Sequence, residues 1–197
     1  MATLCETLIS TDIAFACDDL VKRGLEPDGL IINRADIDFS STAFDAQNPN
    51  IIKTLILRSG KKAYEIQQLG NTPFTGTQTE LVAGTYRNTW THTIPIAVLA
   101  NNPDVAKNVI DGLANGKFVV ILKNHNDPES GNHYQVYGYE QGLVASAGIS
   151  EKYSEETDGG WLITLTETGA PKSAMFFYKE DDATTDSAYE ALKTAAV

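Results

Sequence analysis

Apolar and polar positions change over in short blocks along most of this chain, and the densest blocks lie between Asn115 and Leu165. Phe118-Val119-Val120-Ile121-Leu122 is a continuous apolar run, and Tyr134-Gln135-Val136-Tyr137-Gly138-Tyr139 is an aromatic one. Trp161-Leu162-Ile163-Thr164-Leu165 closes the set. β-Branched and aromatic runs of this length, bounded by Gly, Asn, Asp and Pro, predict strands joined by turns. With no helical period between them, the three are expected to form an antiparallel meander.

Upstream, Glu26-Pro27-Asp28-Gly29 predicts a turn, since proline sets φ and glycine closes it. Gly29-Leu30-Ile31-Ile32-Asn33 follows as a strand. Residues 36–50 form a polar connection that Ile37, Phe39 and Phe44 can pin down. Ile51 to Leu57 and Lys62 to Gln68 predict two strands, with Arg58-Ser59-Gly60-Lys61 as their hairpin turn. The stretch Gly70 to Gly84 is almost all Thr, Gly, Gln, Asn and Pro around Phe74. It is longer than a compact domain ordinarily leaves unstructured, so it predicts an extended loop or arm reaching another surface.

The clearest alternation is Trp90, His92, Ile94, Ile96 and Val98 against Thr89, Thr91 and Thr93, a strand with one face inward. Pro95 lacks a ladder donor, so one side of that strand is expected to be an edge or a bulge. One helix is predicted over 103–115. Asn102 is its N-cap, Pro103 its first position, Val105, Val109, Ile110 and Leu113 its apolar stripe, and Gly116 its end. Met175-Phe176-Phe177-Tyr178 predicts a last strand, buried or paired with a neighbour's sheet. Residues 184–197 predict a short helix or tail, with Tyr189 and Leu192 too few to hold a face. The fold class is therefore mainly β: an antiparallel β-sandwich or barrel with one flanking α-helix, an extended loop and terminal arms. The expected division is an N-terminal arm over 1–27, a core over 28–180 and a tail or short helix over 181–197.

Composition narrows the classes of function. The chain has 197 residues, 42% of them hydrophobic and 21% charged, which suits one decorated globular domain. No apolar run is long enough to span a bilayer, so no membrane partner is expected. Met1-Ala2-Thr3-Leu4-Cys5-Glu6 has neither the basic nor the apolar region of a signal peptide, which points to synthesis in a cytoplasm. Cys5 and Cys17 are too few for a disulfide framework or a zinc site and are read as buried thiols. The net charge of -11 disfavours sequence-independent binding to nucleic acid, because such binding draws on released counterions around phosphate.

No GxGxxG, Walker or GxSxG pattern occurs, and no catalytic, cofactor-binding or metal-binding residue is assigned. His125 to His133 holds two imidazoles, an Asp and a Glu that could fold around a divalent metal, but a solvated hairpin tip uses the same residues. His92, on the apolar parity beside Trp90, reads as a core histidine with a hydrogen bond. Glu151 to Asp158 could supply paired carboxylates, but reads as a solvated turn before Gly159-Gly160-Trp161.

Taken together, the Ile51–Gln68 hairpin, the Gly70–Gly84 arm, the Trp90–Leu99 strand, the Pro103–Asn115 helix and the Lys117–Leu165 meander resemble the tail tube proteins of tailed bacteriophages. Val136-Tyr137-Gly138-Tyr139-Glu140-Gln141-Gly142-Leu143 and Asp158-Gly159-Gly160-Trp161 belong to the same pattern, which covers roughly 28–180. The resemblance implies a virion structural protein without enzymatic activity or cofactor. It implies a homo-oligomer whose rings, usually six-fold, stack into a tube, with other virion proteins as partners and DNA passing through an acidic lumen without specific binding. The long arm and the Leu4–Val21 segment would then be inter-ring contacts. A capsid decoration or head–tail connector protein is the alternative within virion architecture. A small β-sandwich enzyme or carbohydrate-binding module is the alternative from another class.

Overall fold

The structure, a computed structural model, describes residues 9, 11–13, 21–125, 131–155 and 157–196. Two sheets of different size organise it. The larger contains β1 (Leu25–Asn33), β2 (Ala43–Phe44), β3 (Ile51–Thr54), β4 (Tyr64–Gln67), β7 (Phe118–Asn124), β8 (Tyr134–Tyr137) and β11 (Met175–Phe177). Its spatial order is β2-β3-β11-β8-β7-β1-β4. The smaller has the order β5-β6-β10-β9, from β5 (Gln78–Val82), β6 (Thr89–Val98), β9 (Val144–Ile149) and β10 (Trp161–Ala170). Every pairing is antiparallel except β3 with β11. The molecule is thus mainly β, a sandwich with a flanking helix, as the patterning predicts.

The unbroken apolar run of β7 has a physical cause: the strand is buried on both faces. Val119 and Ile121 enter one core, and Phe118, Val120 and Leu122 enter another. β1 divides in the same way, with Leu30 and Ile32 on one side and Ile31 on the other. The larger sheet is therefore the middle layer. The first core lies between it, the 37–63 connections and the C-terminal helix (Asp182–Ala191). The second lies between it, the smaller sheet and the interior helix over 103–115.

Asn102 caps the interior helix as predicted, its side-chain oxygen accepting from Val105 N at 2.9 Å. Residues Ala106–Ile110 form a π-turn, an extra residue in the middle of the stripe. Ile110 and Leu113 are buried while Val109 is exposed, so the stripe is narrower than expected.

Five expectations need correction. The Ile51–Gln68 segments are not a hairpin: β3 and β4 are widely separated in the larger sheet. Leu55, Leu57 and Ala63 are buried in the first core as the chain passes between them, and β4 pairs with β1 instead. The Lys117–Leu165 meander is broken, because β7 and β8 pair but β10 belongs to the other sheet and β9 intervenes. Glu26-Pro27-Asp28-Gly29 lies inside β1, where the register shifts between Leu25 and Gly29, and such an irregularity accommodates a proline. The Gly70–Gly84 arm is one-third strand, since 78–82 is β5, and Phe74 anchors the stretch before it in the second core at 1% exposure. Tyr189 and Leu192 hold their helix firmly, both buried in the first core.

Pro95 behaves as expected. β5 pairs with β6 only as far as Thr93, and the Pro95 carbonyl faces away from β10 to accept from Gln68 Nε2 at 3.4 Å. The strand is locally an edge there. Most of the 1–27 arm, with Cys5 and Cys17, lies outside the described residues.

Candidate functional site

Both sheets end in open edges, β2 and β4 in the larger and β5 and β9 in the smaller, and the edges of the smaller sheet are the longer. Among the described residues, neither β5 nor β9 has a partner on its outer side. Both edges also carry exposed apolar side chains: Leu81 and Val82 on β5, Val144 and Ile149 on β9. Unpaired backbone groups beside apolar side chains are a template for another strand. The three pairings of this sheet are all antiparallel, so β5 and β9 run in opposite directions. A copy related by rotation about an axis along the strands would bring its β5 antiparallel to β9.

The outward face of this sheet is rich in hydroxyls. Cross-strand partners share a face, which groups Gln78 with Thr93, Glu80 with Thr91, and Thr93 with Thr166. Ser146 Oγ lies 2.7 Å from Thr166 Oγ1 and donates to the Thr164 carbonyl at 3.2 Å. Among the described residues, Glu80 is the only charged strand residue on this face. The acidic surplus lies elsewhere: Asp182, Asp186 and Glu190 on the C-terminal helix, Asp104 and Asp111 on the interior helix, and Asp36, Asp38 and Asp45 in the 34–50 connection.

Behind the sheet sits a buried polar cluster. Inward residues of β6 and β10 alternate as His92, Ile94, Ile96 and Ile163, Leu165, Glu167. His92 Nδ1 lies 2.7 Å from Glu167 Oε2, and both residues are at most 3% exposed. Glu167 also accepts from backbone amides of the turn after β8: Gly138 N at 3.1 Å, Gln141 N at 2.5 Å and Gly142 N at 3.2 Å. Burial opposes the charged form of Glu167. The His92 hydrogen bond and the amides of Gln141 and Gly142 outweigh it and hold the carboxyl below its ordinary range. Gly138 and Gly142 have φ of 82° and 89°, and a Cβ at Gly138 would meet the Phe118 carbonyl at 2.5 Å. Only glycine lets the chain turn this closely around the carboxylate.

His92 is thus a core histidine with a hydrogen bond, as its parity predicts. Glu167 was missed, although its signal was present: the alternation Ile163, Leu165, Glu167 puts a carboxylate at a core position. Both side chains of the cluster are buried.

Other candidates disperse. His125 and His133 flank the β7–β8 connection, and the residues between them at 126–130 lie outside the described set. His125 approaches Glu26 at 3.7 Å, and the His133 ring stacks edge-on against Tyr134. Among the described residues, no three His, Cys, Asp or Glu side chains come together as a metal site. The described part of Glu151–Asp158 is a turn, closed by Thr157 Oγ1 donating to the Glu151 carbonyl at 2.9 Å. A surface cleft of about 540 Å³ is lined by Lys61, Lys62, Tyr64 and Lys193, with no carboxylate pair in it. Lys61 is held by Asp36, and Lys193 by Glu65 and Glu190. Among the described residues, no helix is long and apolar enough to cross a membrane.

No protein-family model, curated protein or solved structure matches the chain.

Proposed function

We propose that this chain is a tail tube subunit of a tailed bacteriophage, a virion protein that builds rings by continuing its smaller sheet from copy to copy. One observation carries the reading. A four-stranded, wholly antiparallel sheet ends in two exposed edges of opposite direction, β5 and β9. Pairing β9 of one subunit with β5 of the next is a heterologous contact that closes into a ring when the rotation allows. Backbone hydrogen bonds supply the affinity of such strand addition, and the side chains on alternate positions supply its specificity.

In that ring the outward face of the sheet becomes the wall of a channel. It offers threonine and serine hydroxyls with one carboxylate per subunit, Glu80. The acidic lumen that the resemblance implies reduces, on this face, to that single ring of charge. A wall without lysine or arginine gives DNA no counterion-releasing partner, so the polymer passes without being held. Other virion proteins would meet the ends of the stack.

The capsid-decoration reading uses the same core but needs no open edge, and the enzyme or carbohydrate-binding reading needs a pocket that the lysine-lined cleft does not provide. Mass photometry and negative-stain microscopy of the purified chain test the proposal. Rings or hollow tubes are expected, together with no shift of a DNA fragment at physiological salt. A monomer that persists at high concentration would overturn it.

A further inference from the structure

Besides its ladder with β10, β9 is held only by Ala145 against the second core and by contact with the helix segment Asp111–Asn115, among the described residues. It pairs with β10 alone, and most of its side chains are exposed. Its position depends on where the chain enters it, and that entry is built around Glu167. The first pair of β9 joins Val144 to Thr166, the residue immediately before Glu167 on β10. The carboxylate then reaches back to the amides of Gly138, Gln141 and Gly142, the turn that carries the chain out of the larger sheet. Leu143, fully buried, completes the crossing through two backbone bonds with Phe118 at 2.9 and 2.8 Å. On the outer side of the turn, Arg34 donates to the carbonyls of Tyr139 at 3.2 Å and Glu140 at 2.7 Å.

We propose that Glu167 is a positioning residue for self-association: it sets the register of the β9 edge without touching the neighbouring subunit. The proposal rests on the ring reading for its consequence, though not for its structural content. The reason for a buried charge is specificity. β9 is short, rich in small residues and bulged where Thr164 and Leu165 meet Ala147 and Ala145, so alternative registers differ little in packing. A slip of one residue would turn its outward side chains inward and present the wrong set to a partner. A carboxylate that gathers donors from the turn just before the strand removes that freedom, at the cost of desolvating a charge. Beyond His92, the groups around it are the Tyr137 ring, which lies edge-on to His92 at 5.9 Å, with Glu140 and Lys172 beside the same small void.

The test is amide hydrogen exchange on monomeric wild-type and Glu167→Gln protein, combined with the concentration at which each forms rings. Exchange over 138–149 should rise roughly ten-fold or more while β7 and β8 keep their protection. Ring formation should require about ten-fold more protein, since one register among several is then populated. Protection lost evenly over both sheets would overturn the proposal, as would assembly at the wild-type concentration. Glu167→Asp keeps the charge near His92 but falls a methylene short of the amides, and the same local pattern is expected. Global unfolding of both variants would also refute it, because the carboxylate would then hold the whole sandwich and not one strand. If the wild-type chain never assembles, the ring reading fails. The exchange pattern still decides whether Glu167 holds β9.

Discussion

Glu167 is where a single side chain matters most to this fold. Removing its carboxylate leaves the His92 ring and the amides of Gly138, Gln141 and Gly142 without their acceptor, and stripping a buried polar group of its partner costs about 1–3 kcal/mol. Glu167→Ala should therefore lower the stability of the 138–149 segment by that amount, read as faster amide exchange there, more than removal of any single exposed carboxylate. The pH dependence follows from the direction of its shift. A carboxyl held below its unfolded value contributes stability that is complete above the ordinary glutamate range and is lost as pH falls through the folded value. Acid titration of the wild type should thus show a loss of stability below about pH 4.3 that Glu167→Gln lacks. A wild type and variant with parallel acid profiles would refute this. Tyr189 gives the opposite sign. Its hydroxyl is buried with no hydrogen-bond partner among the described residues, although the ring sits 4.6 Å from Tyr134 and 4.7 Å beneath Lys123. An unsatisfied buried hydroxyl costs about 1–3 kcal/mol, so Tyr189→Phe should raise the melting temperature, and a lower one would show that the hydroxyl has a partner.

At the level of elements, the C-terminal helix shows how caps and packing share the work. Asp181 accepts from Thr184 N at 2.8 Å while the Thr184 hydroxyl donates back to the cap, and Tyr134 OH bonds Asp186 from the sheet below. Asp181→Ala should cost about 1 kcal/mol, read as faster exchange across 182–191, while the strands are unaffected. Unchanged exchange there would mean that Tyr189 and Leu192 alone hold the helix. Local signals of this kind were readable in the sequence. Asn102, Pro103 and Gly116 bracket the interior helix, and alternation found β6 with His92 inward. Pairing was not readable. A turn such as Arg58–Lys61 reveals a reversal but not that β11, more than a hundred residues later, takes the place beside β3. β9 escaped because Val144-Ala145-Ser146-Ala147-Gly148-Ile149 is short on bulky β-formers and draws its strand character from β10. The five residues of β5 hid for the same reason among threonines and glycines. These two weak strands are the open edges, so the part of the molecule that argues function was the part least visible in its patterning.

For the whole molecule, the question is how subunits of charge -11 approach one another. The edges themselves do not oppose it: β9 carries no charged residue and β5 carries only Glu80. Repulsion must come from the helices and connections, over distances comparable with the Debye length of about 8 Å at physiological ionic strength. Added salt should therefore promote assembly, whereas it weakens any protein held to DNA by phosphate contacts. The interface itself is best tested by charge placed on the strand that bears none. Val144 and Ile149 are 39% and 53% exposed, so lysine at both positions should change folding stability by less than about 1 kcal/mol. Both side chains share the outward face with Thr166 and Leu162, so lysine there would replace the apolar contact offered to a neighbouring strand with the kind of charge that blocks edge pairing, and the subunit should remain monomeric at concentrations where the wild type forms rings. Normal melting with abolished assembly would place the contact on β9. Rings that persist with both lysines in place would show that the smaller sheet is not the seam, and the case for a continuous channel wall would fall with it.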